Sequence, residues 1–393
     1  MKKKQKQGSD TLLVLCAASL GGPTSSAINL LHLFREQGNT LDVFLMDHGD
    51  VRTKDIAEEG NLLPKIPMLA DAITDKKNIK TLPQLIRRAF FVISHKLFGV
   101  PRARKWLYKS AARRLNGRYN NVIAFQESIT SDFVRYIDTP NRIAWMHTDF
   151  NRLCTLSPHF ATKAFYDSYR HVACVTRASA DAMKERLARD DNSIHVIRNT
   201  LLPASICQRA KEPIPAEEGK KKPFLLVSVG RLGPEKGFDR IPRIAKRLTD
   251  AGFSFDWYII GNGITRDIIE REIDRCGVSH AVRLLGARQN PYPYIRLADC
   301  LVITSVDEAQ PMVANEALIL DTPVISTRFD SALEVIQNDI NGRIVPQDEQ
   351  AIADAVADLF RDPALREAWT EGARAFRYDN SRELDRLRAI LLP

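Results

Sequence analysis

Leu301–Ile336 reads LVITSVDEAQPMVANEALILDTPVISTRFDSALEVI, and the rest of the chain makes sense as support for this stretch. Leu301–Thr304 is a short apolar run, Ser305–Gln310 is polar, and Pro311 opens a helical-period segment that stops at Asp321. A second β-branched run, Thr322–Thr327, follows. The pattern predicts strand, loop, helix and strand. Proline suits the first helical position, where its missing N–H is not needed, so the amides of Met312, Val313 and Ala314 are expected to point back into the loop as an anion seat. Glu308 then precedes the helix and Glu316 lies about one and a half turns inside it. Carboxylates accept hydrogen bonds from hydroxyl pairs, and a helix N-terminus holds phosphate. A ligand with a sugar, a diphosphate and a ribose in series meets all of these groups.

The spacing of Glu308 and Glu316, with Pro311 between them and Thr322-Pro323-Val324-Ile325 after them, resembles the E-x7-E signature of the retaining GT-B glycosyltransferases of family four. The resemblance implies that Glu308 contacts donor-sugar hydroxyls and Glu316 the ribose. Without companions, two Glu eight residues apart are more simply a solvated helix start and an exposed helix face.

With 393 residues, the chain is long enough for two domains of roughly 150–200 residues. Its six Cys (16, 154, 174, 207, 276, 300) form no C-x-x-C pair, which predicts reduced thiols and a cytoplasmic protein. At the amino end, MKKKQKQ and TLLVLCAASL are separated by Gly8-Ser9-Asp10, and the apolar run stops at Gly21-Gly22-Pro23. We read a basic tail (1–10), then strand, glycine loop and helix rather than a secretory signal. No apolar run approaches the ~20 residues that span a bilayer. The net charge of +9 is local: residues 76–118 hold thirteen Lys and Arg and no Asp or Glu.

Thr11–Cys16, a helix over Thr24–Gln37 and Leu41–Met46 form a βαβ unit, which predicts a parallel α/β sheet. The Gly21-Gly22 pair is similar to the glycine loop that the family sets against donor phosphates. Residues 50–79 show no clear period. Leu82–Phe98 does, with Leu82, Leu85, Ile86, Phe90, Ile93 and Leu97 at helical spacing, and Pro101 separates it from a second basic helix over Arg102–Leu115. Either the apolar stripe packs in the core and the basic face is solvated, or the pair docks on an anionic membrane or acceptor. The second placement makes Arg87, Arg88, Lys96, Arg102, Arg104, Lys105 and Trp106 contact residues. In RIAWMHTDF, His147 follows the strand Arg142–Met146, where loops of such sheets carry function. The family's W-x-H segment implies that His147 faces the donor sugar; Glu127, after the preceding strand, is a further candidate. The first domain is expected to span residues 11–202, and PIPAEEGKKKP lends residues 203–223 the composition of a linker.

VSVGRLGPEKGFDRI (227–241) presents Arg231 and Lys236 between Gly230 and Gly237 at a strand's carboxyl end. Two fixed cations there suit a diphosphate leaving group, and the segment closely resembles the family's diphosphate site. Gly261-Asn262-Gly263 is a second glycine turn whose signal is weak alone. The second domain is placed at 224–363, with a helical tail from 364 to 393 that is expected to return to the first domain, as GT-B chains commonly do.

The resemblance covers nearly the whole chain and is strongest from Phe224 to Val345. Departures are Ala309 where Gly is usual, Asp321 where Gly commonly ends the helix, and Ser331-Ala332 where a Gly-rich turn often precedes the equivalent of Glu334. The expected fold is α/β, GT-B, with two Rossmann-like domains facing across a cleft. The expected reaction is glycosyl transfer with retention. A nucleotide-diphosphate-sugar, a UDP-sugar foremost, is the donor; a glycan or lipid-linked molecule is the acceptor. Donor contacts are Gly21, Gly22, Gly230, Gly261, Gly263, Pro311, Met312, Val313 and Glu316, around a catalytic set of His147, Arg231, Lys236 and Glu308. No metal or other cofactor is expected, because two cations and a helix dipole supply the positive charge and no Asp-x-Asp stands near them. No nucleic-acid motif accompanies the basic segment. A transferase acting on a soluble acceptor and a non-catalytic nucleotide-sugar-binding partner subunit are the alternatives.

Overall fold

A computed structural model describes residues 9–19, 21–48, 51–74, 78–189, 191–219 and 222–393. Most of the expected basic tail and two cations of the basic segment, Lys76 and Lys77, lie outside the described residues. The chain divides into two compact units, one made of Met1–Thr200 with Asn380–Pro393 and one of Leu201–Asp379.

The first unit is built on a parallel sheet of β1 (Thr11–Leu15), β2 (Asp42–Leu45), β3 (Asn61–Leu62), β4 (Asn121–Ala124), β5 (Asn141–Met146), β6 (His171–Cys174) and β7 (Ile194–Val196). Their order is β3-β2-β1-β4-β5-β6-β7. Leu13 of β1 stands opposite Val43 on one side and Ile123 on the other. Leu12, Leu13, Val14 and Leu15 are all fully buried, so β1 is continuously apolar, as expected of a parallel strand covered on both faces. The stretch without a clear period holds the helices Thr53–Glu59 and Pro67–Ile73 and the two-residue β3. Elements this short show too little of either period to be read from sequence.

The second unit carries β8 (Phe224–Val229), β9 (Phe255–Ile260), β10 (Val282–Gly286), β11 (Cys300–Ile303), β12 (Val324–Thr327) and β13 (Gly342–Val345) in the order β10-β9-β8-β11-β12-β13, again all parallel. Each unit has its own core; Trp145 and Tyr166 are fully buried in the first, Trp257 and Trp369 in the second.

Two boundaries differ from expectation. Residues 203–223 begin with the helix Pro203–Arg209, whose Ile206 is buried with Leu201, Leu318 and Leu320. Polar composition hid a segment anchored by a few apolar side chains. The return to the first unit comes at Asn380 rather than at 364: the helix Pro363–Ala375 buries Trp369 in the second unit. The helix Ser381–Ile390 is held in the first unit, where Arg198 N–H donates to Glu383 Oε2 at 3.1 Å and Arg386 Nη1 to the Val196 carbonyl at 2.7 Å.

Candidate functional site

Parallel strands bring all their carboxyl ends to one edge, and in the second unit the chain reverses direction across the sheet between β8 and β11. Loops leaving neighbouring strands diverge there and open a binding place. The loop after β8 carries Arg231 and Lys236; the loop after β11 carries Glu308. The fold joins them: Lys236 Nζ lies 2.9 Å from Glu308 Oε2, with Glu308 only 9% exposed. Ser305 Oγ donates to Glu308 Oε1 at 2.6 Å, and Ser331 Oγ donates to the Glu308 carbonyl at 2.6 Å. Both carboxylate oxygens are therefore aimed by neighbours.

The β8 loop is held equally closely. Thr304 Oγ1 donates to the Lys236 carbonyl at 2.8 Å, and Val306 N–H donates to the Glu235 carbonyl at 2.8 Å. Gly237 has φ 61, and a Cβ there would lie 2.3 Å from the Thr304 carbonyl oxygen. At Gly261, after β9, a Cβ would lie 1.8 Å from the Gly230 carbonyl oxygen. Leu232 N–H donates to the Asn262 carbonyl at 3.0 Å, and Gly263 sits against the Leu232 backbone. These contacts pack the two glycine-bearing turns after β8 and β9 directly on one another, and the first of them on the loop after β11. Arg231 is mostly in solvent and pairs with Glu235 Oε1 at 2.7 Å.

The helix after the loop is Met312–Ile319, with Pro311 one position before its first residue rather than inside it. The expected seat of three amides is smaller than read from sequence. Met312 N–H donates to the Gln310 carbonyl at 2.9 Å and Ala314 N–H to the Pro311 carbonyl at 3.0 Å. The chain turns more tightly before the helix than a regular first turn would. Glu316, partly buried on this helix, accepts from Tyr292 Oη at 3.2 Å. Burial pushes its carboxyl up to about 7, while the Tyr292 hydroxyl and nearby Arg209 act in the opposite direction. The Arg209 guanidinium lies 4.8 Å from the centre of the Tyr292 ring. Asp321 ends the segment with φ 63, a left-handed position that Asp tolerates.

In the first unit the direction reverses between β1 and β4. Gly21 caps the helix Gly22–Glu36, and a Cβ at Gly21 would meet no atom within 4 Å. Glu127, which follows β4, holds the loop after β5: His147 N–H donates to its Oε2 at 3.1 Å, and the Thr148 hydroxyl donates to its other oxygen. The His147 ring lies 4.8 Å from the Phe125 ring and is parallel to Trp145 at 6.2 Å. Burial depresses its pKa to about 4, with Glu127, the Phe125 backbone and Asn199 working in the other direction. It is a neutral imidazole at neutral pH. Asn29 Nδ2 donates to the Thr200 carbonyl at 2.8 Å, so the glycine-capped helix is tied to the segment beside Asn199.

Of the expected surface contacts, Arg87 and Arg88 turn inward. The Arg87 guanidinium pairs with the buried Asp71 carboxylate, and Arg88 donates to the Thr74 carbonyl at the end of the helix Pro67–Ile73. Lys96, Arg102, Lys105 and Trp106 are exposed, and Arg104 is partly so. Ser305, Thr304 and Tyr292 are site residues that sequence reading passed over, and Ser331, noted there only as a departure from the family pattern, holds the Glu308 carbonyl. Thr304-Ser305 at a strand's carboxyl end is a usable signal; Tyr292 has none, because only the fold brings it to Glu316.

Residues 210–376 match the family of the glycosyl transferases group 1. The group 1 region thus contains the whole Lys236–Glu308 cluster. The lipopolysaccharide core biosynthesis glycosyltransferase LpsD of Rhizobium meliloti (strain 1021) is 28% identical over 229 residues, 58% of this chain and 64% of LpsD. The N-acetylgalactosamine-N,N'-diacetylbacillosaminyl-diphospho-undecaprenol 4-alpha-N-acetylgalactosaminyltransferase of Campylobacter jejuni is 26% identical over 239 residues, 60% of this chain and 62% of that enzyme. The matched stretches span less than two thirds of these relatives' own length. Among solved structures, Anabaena HepE in complex with UDP and glucose has a TM-score of 0.73 at 15% identity, over 97% of this chain and 98% of HepE. The lipopolysaccharide-biosynthesis glycosyltransferase WaaG has a TM-score of 0.65 at 15% identity, over 97% and 99% of the two chains. The fold is the two-domain α/β GT-B fold.

Proposed function

We propose that the protein transfers a hexosyl group, with retention of anomeric configuration, from a nucleotide-diphosphate-sugar to a glycan or lipid-linked acceptor on the cytoplasmic side of a membrane, in polysaccharide or glycolipid synthesis. One observation carries the reading: Lys236 and Glu308 are brought from separate loops into an oriented pair at the carboxyl edge of the second sheet, where its direction reverses. Charge grows on the diphosphate as the glycosidic bond breaks, and a fixed cation favours that change over the ground state. Lys236 supplies it, with Arg231 available from solvent. Glu308, freed from Lys236, accepts hydrogen bonds from the sugar hydroxyls. Glu316, once ionised, accepts from the ribose. His147, neutral and held by its loop, can hydrogen-bond a hydroxyl group without adding charge.

A UDP-sugar is the proposed donor; HepE was solved with UDP and with UDP-glucose. The test is nucleotide release from UDP-, GDP- and ADP-sugars without acceptor, in wild type, Glu308→Ala and Lys236→Ala. Slow release from one donor class, lost in both variants, is the expected result. Binding of a nucleotide with no release, even with membrane extract as acceptor, would replace this reading with a non-catalytic partner subunit.

A further inference from the structure

The helices Leu82–Phe98 and Val100–Ala112 of the first unit pack side by side, and the first of them is inside out. At 100° per residue, Leu82, Leu85, Ile86, Phe90, Ile93 and Leu97 fall within roughly 140° of one face. An amphipathic helix of a folded domain ordinarily turns such a stripe inward. Here each of these six side chains is between 51% and 70% exposed. The opposite face makes the packing contacts: Phe91 and Ser94 are buried, and Arg87 and Arg88 reach the Asp71 carboxylate and the Thr74 carbonyl. The stripe's outward direction is therefore fixed by polar anchors on its back.

The second helix complements it. Ala103, Leu107, Tyr108 and Ala111 are buried, which leaves Arg102, Lys105, Trp106 and Lys109 together on the outer face. Trp106 joins the two surfaces, with its ring 5.9 Å from that of Phe90. The result is an apolar ridge beside a row of cations, with no acidic residue between positions 76 and 118. A second copy of the chain does not suit this surface, because a two-fold contact would bring cations against cations. A bilayer with anionic headgroups satisfies both parts, since the acyl region takes the ridge and the headgroups meet the cations. Among the described residues no helix is long and apolar enough to cross a membrane.

We propose that this helix pair docks the protein on an anionic lipid surface, inserting Leu85, Phe90, Ile93 and Leu97 among the acyl chains with Trp106, Lys105 and Lys109 at the headgroups. The proposal deepens the lipid-linked reading of the acceptor, but docking itself is independent of the donor reaction.

The experiment is co-sedimentation of the full chain with vesicles of phosphatidylcholine alone or with phosphatidylglycerol, alongside sedimentation velocity without lipid. Wild type is expected to bind the anionic vesicles, less so as salt rises, and to bind phosphatidylcholine at least about tenfold more weakly. Phe90→Glu with Leu97→Glu is expected to lose binding by about tenfold or more. Both positions are exposed, so the melting temperature and nucleotide release of that variant serve as checks on folding. Lys105→Glu with Lys109→Glu is expected to remove the preference for anionic lipid. Equal binding to both vesicle types, or vesicle binding unaffected by Phe90→Glu with Leu97→Glu, would overturn the proposal. So would self-association that the same variant abolishes, with no vesicle binding by wild type. Failed docking with intact nucleotide release would leave the transferase reading standing, and vesicle binding without release would leave the docking surface standing.

Discussion

Lys236 Nζ and Glu308 Oε2 are 2.9 Å apart, and this ion pair ties the loop after β8 to the loop after β11. Each is the other's counter-ion, so a donor that uses both must come between them. Removing one partner leaves a charge with little water around it. Lys236→Ala and Glu308→Ala should each lower stability by about 1–3 kcal/mol, in addition to abolishing nucleotide release. Lys236→Met combined with Glu308→Gln removes both charges. It should recover part of the lost melting temperature and none of the release, which separates the pair's structural effect from its chemistry.

The stacked turns give a steric prediction. Gly261→Ala places a Cβ 1.8 Å from the Gly230 carbonyl oxygen, and Gly237→Ala places one 2.3 Å from that of Thr304. Each should cost about 1–3 kcal/mol by thermal or urea unfolding, as the loops move apart. A Cβ at Gly230 would meet only ordinary contacts at 3.5 Å and beyond. Gly230→Ala should therefore keep wild-type stability, and any fall in its nucleotide affinity would report the ligand itself.

Glu316 makes binding and stability respond oppositely to pH. Its folded pKa of about 7 lies above the ordinary value of 4.5, so between those values the unfolded chain holds fewer protons and stability falls as pH rises. The shift corresponds to about 3 kcal/mol at most. Ionisation also creates the acceptor that a ribose needs, so nucleotide affinity should rise between pH 6 and 8. Glu316→Gln should flatten both profiles, as calorimetric titration and urea midpoints at several pH values would show.

Acid acts on the first unit through buried imidazoles. Burial lowers the pKa values of His147 and His171 to about 4, and His195 beside His171 adds repulsion. His171 Nδ1 and His195 Nε2 are 3.0 Å apart. The unfolded chain protonates His147 and His171 near pH 6.5 and the folded one near 4. Their stabilisation is complete above 6.5 and is lost as pH falls through that window. About 1–2 kcal/mol per imidazole should be lost at pH 5. His171→Gln should reduce the difference between urea midpoints at pH 7 and pH 5.

If Lys236 and Arg231 carry the neutralisation of the leaving diphosphate, chelation should leave catalysis unaffected. Nucleotide release measured with excess EDTA should match that with added magnesium, within about twofold. A rise of about tenfold or more with magnesium would assign that charge to a metal instead.

Composition and period along the chain were enough to expect parallel α/β sheets, because a parallel strand buried on both faces reads as an uninterrupted apolar run whatever surrounds it, but not to find the edge strands β3 and β13. The family resemblance, carried by short local motifs, singled out Lys236 and Glu308 on loops at strands' carboxyl ends and Glu316 on the helix that follows. Tertiary structure alone decided who meets whom. Tyr292 and Arg209 reach Glu316 across long separations, Ser331 proves to be a tether for Glu308, and the polar stretch from 203 is part of the second unit. The helix Leu82–Phe98 shows the division most clearly. Its 3.6-residue period determined which side chains share a face, but a period is indifferent to what that face touches. The salt bridge from Arg87 to Asp71 and the burial of Phe91 turned the helix around, and those contacts exist only once the chain is folded.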